Sequence, residues 1–224
     1  MQAIILAAGR GERMRPLTEQ LPKPLIKIGG QSILGRTIDN LPDEISEIIL
    51  VVGYKGEMIE EFVKSYSQKK ITCVYQKELN GTAGALFLVK DLLEERFLVL
   101  MADDLYRKSD IEKILQYELA ILAKEADRPE EFGVFQVNDN NELIDIIEKP
   151  SNYIGSLVNI GIYSLTKKIF DYQPVKISNR EFGLPQTIVK MTKDIPVKII
   201  KADFWYPIGY PDDLERAEPY FQHA

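Results

Sequence analysis

Four short runs of apolar residues recur through the first half of the chain: Ala3–Ala7 (AIILA), Ile48–Val52 (IILVV), Ile71–Tyr75 (ITCVY) and Phe97–Met101 (FLVLM). They show little alternation of apolar and polar residues, so each reads as a strand covered on both faces, as in a parallel sheet. Longer stretches between them, Ser32–Leu41, Gly56–Ser67 and Thr82–Leu93, read as helices. In Ile111–Leu122 the apolar residues fall at 111, 114, 115, 119 and 122, near-helical spacing that predicts another helix. Strands alternating with helices constrain the chain to a layered α/β fold.

The second half is richer in strands. Phe132–Val137, Leu143–Ile147, Leu157–Tyr163 and Val197–Ile200 are β-rich and separated by turn signals such as NDNN, with helices expected at Leu184–Lys193 and Asp212–Phe221. With no repeat and no linker, the 224 residues read as one domain, parallel in its first half and mixed in its second. A hydrophobic content of 45% supports a core without disulfides.

Composition narrows the chemistry. Acidic residues outnumber basic ones by 34 to 28, for a net charge of −6, which argues against a nucleic-acid binder. Cys73 is the single cysteine and reads as an inert strand residue; His223 is the single histidine and stands next to the last residue. Catalysis would therefore fall to carboxylates, lysines, arginines and a hard metal ion. No stretch approaches the ~20 apolar residues that span a bilayer. The start, MQAIILAAGRG, lacks the basic leader of a signal peptide, so a cytoplasmic location is expected.

Directly behind the first strand runs ILAAGRGERMRPLTEQLPKPL, Ile5 to Leu25. A glycine loop between a strand and a helix suits phosphate, because backbone N–H groups can approach the anion. Met14 stands where the dinucleotide fingerprint needs its third glycine, and the Gly-Lys-Ser/Thr ending of a Walker A loop is absent. Leu6–Leu25 instead resembles, at every fixed position, the signature L-A-[AG]-G-x-G-x-R-[LM]-x-P-L-T-x-x-x-P-K-P-L of the sugar-1-phosphate nucleotidylyltransferases. That resemblance implies a Rossmann-like three-layer sandwich with a mixed, mainly parallel central sheet, the nucleotide-diphospho-sugar transferase type. It implies a nucleotide-binding part at about residues 1–110 and a sugar-phosphate-binding part at about 111–224.

By the same resemblance Leu6, Ala8, Gly9 and Gly11 lie against a nucleotide, and Arg13 and Lys23 neutralise its phosphates. Arg13 would stabilise leaving pyrophosphate, and Lys23 would sit near the α-phosphate. Arg10 and Arg15 fall at variable positions and read as solvated. The segment YQKELNGTAGAL resembles the family's base-binding stretch: Gln76 and Gly81 would meet the base, with Thr82 opening the helix beneath it and Asn80 in place of a common leucine. In FLVLMADDL, Asp103 matches the family's metal-binding aspartate, with Ala102 for the usual glycine. Its place at the carboxyl end of a central strand is where open α/β sheets bind ligands. Asp104 points the other way along an extended chain. Farther on, EFGVF, IIEKP and LVNIGIY resemble sugar-phosphate segments through Gly133, Glu148, Lys149 and Asn159.

One position departs from the pattern. Where the family carries W-x-D and a second ligand for catalytic magnesium, this chain has FWYPIG, with Pro207 in the aspartate's place. Asp203 lies too far along the chain to substitute, and Asp212 and Asp213 read as the start of the last helix. Two accounts follow. Magnesium is held by Asp103, nucleotide phosphates and waters, or the chain binds nucleotide sugars as a regulatory or partner subunit without making them. The completeness of Arg13, Lys23, Asp103, Glu148 and Lys149 favours an enzyme. A glycosidase built on Asp103 and Glu148 would leave the glycine loop unexplained. The resemblance implies a nucleoside triphosphate, UTP or dTTP foremost, and a sugar 1-phosphate as partners, with no nucleic acid and no membrane. It allows a homo-oligomer, since many members assemble. It spans roughly residues 2 to 217, and an appended β-helix acetyltransferase domain, carried by some relatives, is not expected.

Overall fold

The protein is described by a computed structural model covering residues 1–66 and 68–221. The expected strands are present as β1 (Gln2–Ala7), β2 (Glu47–Val52), β3 (Lys70–Tyr75) and β4 (Arg96–Met101). They lie side by side in the order β3-β2-β1-β4, all parallel. Five further strands widen the sheet: β5 (Ala120–Glu125), β6 (Gly133–Val137), β7 (Leu143–Glu148), β8 (Leu157–Thr166) and β9 (Lys198–Lys201). Strand β8 runs antiparallel to β4 along one edge and to β5 along the other, and near its start it also meets β6. β7 is antiparallel to β6, and β9 is parallel to β5.

Among the described residues six helices of seven or eight residues complete the layers: α1 (Ile33–Asp39), α2 (Gly56–Val63), α3 (Gly81–Leu88), α4 (Lys108–Ile114), α5 (Leu184–Met191) and α6 (Pro211–Ala217). The two-residue period of a strand decides which helix each residue meets. Ala3, Ile5, Ile48 and Leu50 pack with Leu34 and Ile38 of α1, Ile59 of α2 and Ile111 of α4. On the opposite face Ile4, Leu6, Ile49 and Val51 pack with Leu86 of α3 and with Leu184 and Ile188 of α5. This is the three-layer sandwich with a mixed sheet that the sequence implied. A third, smaller cluster joins Met14, Ile26 and Ile28 of the loop after β1 to Leu105, Ile208 and Ala217. It fixes the glycine loop to the end of the chain.

One helix is corrected. The expected helix Ile111–Leu122 splits into α4, ending at Ile114, and strand β5, starting at Ala120. Ala120, Ile121, Leu122 and Ala123 are all 0% exposed. A helix would turn part of that run toward solvent, whereas a strand between β8 and β9 buries both faces. Elsewhere the differences are at ends. The α-helical part of Thr82–Leu93 stops at Leu88 and a 3-10 turn follows, and α5 stops short of Lys193. In the last helix α6 gives way to a 3-10 turn over Glu218–Tyr220. α2 ends at Val63, short of the expected Ser67; residue 67 itself and the position of His223 lie outside the described residues. Among the described residues no helix is long and apolar enough to cross a membrane.

Cys73 sits on β3, where burial and, secondarily, Glu60 push its thiol up to about 11. A raised thiol has less reactive thiolate at neutral pH. Iodoacetamide should therefore modify Cys73 at pH 8 at least about tenfold more slowly in the native protein than in urea. The native rate should still be climbing between pH 9 and pH 10; equal rates in both states would contradict the burial.

Candidate active site

The parallel strands deliver their carboxyl ends to one side of the sheet, and the loops that follow them build two adjoining cavities of about 780 Å³ each. The loop after β1 is tied down by its own polar groups. The Thr18 hydroxyl donates to the Gly11 carbonyl at 3.0 Å, and the Tyr54 hydroxyl donates to the Thr18 carbonyl at 3.0 Å. Gly11 has φ +61°, and a Cβ there would stand 3.1 Å from the Lys23 Cβ. The glycine thus lets the loop turn left-handed while Lys23 packs beneath it.

The first cavity is lined by Leu6, Ala8, Gly9, Gly11, Gln76, Gly81 and Thr82, together with Arg13, Lys23 and Asp103. All the residues matched to nucleotide binding therefore converge, although they come from two separate segments, and Asp103 joins them from a third. Gln76 is buried and donates through Nε2 to Asn80 Oδ1 at 2.8 Å and to the Gly81 carbonyl at 3.3 Å. Asn80, the departure from the common leucine, thus orients Gln76. Gly81 has φ +89°, and a Cβ on it would come within 2.4 Å of the Phe182 carbonyl oxygen, so only glycine fits. Thr82 accepts from the Leu184 N–H at 2.9 Å, which docks the start of α5 against this loop.

The second cavity contains Glu148 and Asn159 and extends past Phe132 and Trp205. Asn159 donates to the Tyr163 hydroxyl at 2.9 Å and accepts from the Gly161 N–H at 3.1 Å. Two matched residues lie elsewhere. Lys149 lines the first cavity rather than the second, as Glu181 also does. Gly133 stands beside Glu148 in the β6–β7 ladder and backs it from below.

Arg13, Lys23, Thr82 and Asp103 line both cavities, so they mark the junction. There Lys23 Nζ meets Asp103 Oδ2 at 2.9 Å; the lysine side chain is 8% exposed and the aspartate side chain 46%. Arg13 is exposed and lies over the Tyr210 ring, 5.4 Å from its centroid. Arg10 and Arg15 stay outside the cavities, Arg10 over Tyr54 and Arg15 beside Glu12.

Near Pro207 the structure shows what the sequence did not. Three aspartates hold the segment 203–210 through its donors. Asp110, 1% exposed, accepts from the N–H groups of Asp203 and Phe204 at 2.7 and 2.9 Å. Asp104 accepts from Trp205 Nε1 and from the Ile208 N–H, each at 3.0 Å. Asp213 accepts from the N–H groups of Gly209 and Tyr210, each at 2.8 Å. Trp205 and Tyr206 form a short ladder with Leu105 and Tyr106, and Pro207 has no N–H to satisfy. Burial, and then the neighbouring Asp103, hold the Asp104 carboxyl above the usual carboxylate range. Its two oxygens are engaged by protein donors, which leaves Asp103 as the carboxylate at the junction. Asp203 turns to Lys113, at 3.8 Å. Among the described residues no group of three His, Cys, Asp or Glu side chains gathers around a common point.

The family model for nucleotidyl transferases matches residues 2–223. The chain belongs to that family. It is 41% identical over 223 residues to the bifunctional protein GlmU of Methanocaldococcus jannaschii, covering 98% of this chain and 54% of that one. The chain thus spans about half the length of the GlmU relatives it matches. It is 36% identical over 235 residues to the UTP–glucose-1-phosphate uridylyltransferase AglF of Haloferax volcanii, covering 99% of this chain and 97% of that one. A Bacillus anthracis structure described as a glucose-1-phosphate thymidylyltransferase superposes with a TM-score of 0.88 at 25% identity, over 100% of this chain and 96% of that one. The family membership and the three-layer fold agree with what the signature loop implied.

Asp110→Ala leaves two backbone N–H groups of the segment without their carboxylate and should lower stability by about 2–4 kcal/mol in urea unfolding. Asp212→Ala, at an exposed position in the first turn of α6, should cost less than about 1 kcal/mol. Equal losses would contradict the fastening role.

Proposed function

We propose that this nucleotidyl transferase joins a nucleoside triphosphate, UTP or dTTP, to a sugar 1-phosphate and releases pyrophosphate. The observation that carries the proposal is the junction: two cavities meet at Arg13, Lys23 and Asp103. A nucleotide in the first would point its phosphates at the same charged groups that a sugar phosphate in the second would reach. In the reaction a phosphate oxygen of the sugar 1-phosphate attacks the α-phosphorus in line. The new P–O bond forms as the bond to the β-phosphate oxygen breaks, and the electron pair leaves with pyrophosphate.

Positioning and charge neutralisation supply most of the catalysis in such transfers. Leu6, Ala8, Gly9 and Gly11 hold the triphosphate, and Gln76, Gly81 and Thr82 hold the base. Arg13 neutralises the leaving pyrophosphate, and Lys23 the α-phosphate. Glu148 and Asn159 face the sugar, with Gly133 behind Glu148. Lys149, at the border of the first cavity, pairs with the sugar's phosphate. The division into a nucleotide part at about 1–110 and a sugar part at about 111–224 is therefore not strict, because Lys149 and Glu181 face the nucleotide cavity. The half-exposed Asp103 carboxylate is a hard oxygen donor that suits Mg2+, which keeps several waters and needs few protein ligands. When bound, that ion would add positive charge where the phosphates meet. A cytoplasmic location accords with this reaction. The other account prompted by Pro207, a regulatory or partner subunit, gains no support from the site, whose charged groups remain together.

Lys23→Ala and Asp103→Ala should each lower the rate of pyrophosphate release by about 100-fold or more while circular dichroism stays native. Near-normal turnover in either variant would overturn the assignment.

A further inference from the structure

Gln186, the third residue of α5, carries one satisfied and one orphaned end. Its Nε2 donates to Glu148 Oε1 at 3.0 Å, whereas its Oε1 is buried with no hydrogen-bond partner among the described residues. A buried acceptor without a partner is costly, because it has given up water for nothing in return. Turning the amide over would set its carbonyl oxygen against the carboxylate, which can only accept. The side chain is therefore oriented for Glu148 at the expense of its own carbonyl.

Two other features serve the same arrangement. A Cβ on Gly133 would stand 3.0 Å from Glu148 Oε1 and 3.2 Å from its Cδ, so glycine leaves the carboxylate its room. A Cβ on Gly183 would come within 1.9 Å of Gln186 Oε1, so glycine also leaves the amide its room. The turn that carries Gln186 is anchored to the first cavity, because the Phe182 N–H donates to the Asn80 carbonyl at 2.8 Å and the Leu184 N–H to Thr82.

We infer that Gln186 is a positioning residue for sugar recognition. It holds one oxygen of Glu148 and leaves Oε2 to accept hydrogen bonds from the hydroxyl groups of a neutral hexose. This rests on the assignment of the second cavity to the sugar. Because the anchor of Gln186 lies beside the base-binding loop while its amide lies in the sugar cavity, its effect is confined to ligands that carry a sugar.

Calorimetry with UDP-glucose, UDP-N-acetylglucosamine, dTDP-glucose, UDP and dTDP tests the inference without requiring turnover. Gln186→Leu should weaken the nucleotide sugar that the unmodified protein binds best by about tenfold, with UDP and dTDP unchanged within about twofold. In a Glu148→Gln background the same substitution should add little further loss, since its effect passes through Glu148. An unchanged preference for the nucleotide sugar, an equal loss for the diphosphates, or full additivity with Glu148→Gln would overturn it. So would an unmodified protein that binds no nucleotide sugar more tightly than its parent diphosphate. Normal nucleotide-sugar binding without pyrophosphate release would overturn the proposed reaction and leave the role of Gln186 standing.

Discussion

The contact between Lys23 and Asp103 is the constraint on which the site depends. A lysine with an 8% exposed side chain needs a counter-charge, because an unpaired ammonium so deep would be costly. Asp103 supplies it from the end of β4, and so the loop after β1 and the loop after β4 have a fixed relation. The aspartate itself is 46% exposed, so solvent screens the pair and the lock is not sealed. An anion arriving at the junction meets a nearly buried cation whose partner is half open to the cavity. That is a suitable resting state for the phosphate-gathering role proposed for this site.

Around this pair the fold spends carboxylates on backbone. Asp104, Asp110 and Asp213 together accept six hydrogen bonds from the segment 203–210. The segment passes the mouth of the second cavity, where Trp205 and Pro207 form part of the wall. Proline fits this scheme because it brings no N–H group that would need an acceptor. The position that looked like a loss in the sequence is thus a well-accommodated part of the wall. Adjacent aspartates have been divided between two tasks: Asp103 faces the junction and Asp104 fastens the wall.

Much of this was legible in the sequence because two signals were strong. Continuous apolar runs such as IILVV mark strands buried on both faces, and all four in the first half are found. The signature Leu6–Leu25 is long enough to identify the loop, and residues matched from three distant segments line one cavity. The differences have physical causes. The run at 120–123 satisfies helical spacing on paper, but pairing with β8 and β9 buries both faces and wins. Lys149 faces the first cavity because the chain turns at a left-handed residue, φ +45°, directly after Glu148. The tasks of Asp104, Asp110 and Gln186 were illegible because their partners lie 101 and 104, 93 and 94, and 38 residues away respectively, and meet them only in the folded chain. No local pattern announces such contacts; LPQTI reads simply as the start of a helix.

The central claim is that nucleotidyl transfer occurs where the two cavities meet. Its most direct test is pyrophosphate release from the purified protein across a grid of nucleoside triphosphates and sugar 1-phosphates, with magnesium present. Release in one or a few cells of the grid, matched mole for mole by a nucleotide sugar, is the expected result. Silence in every cell from a protein that still binds nucleotide by calorimetry would contradict it.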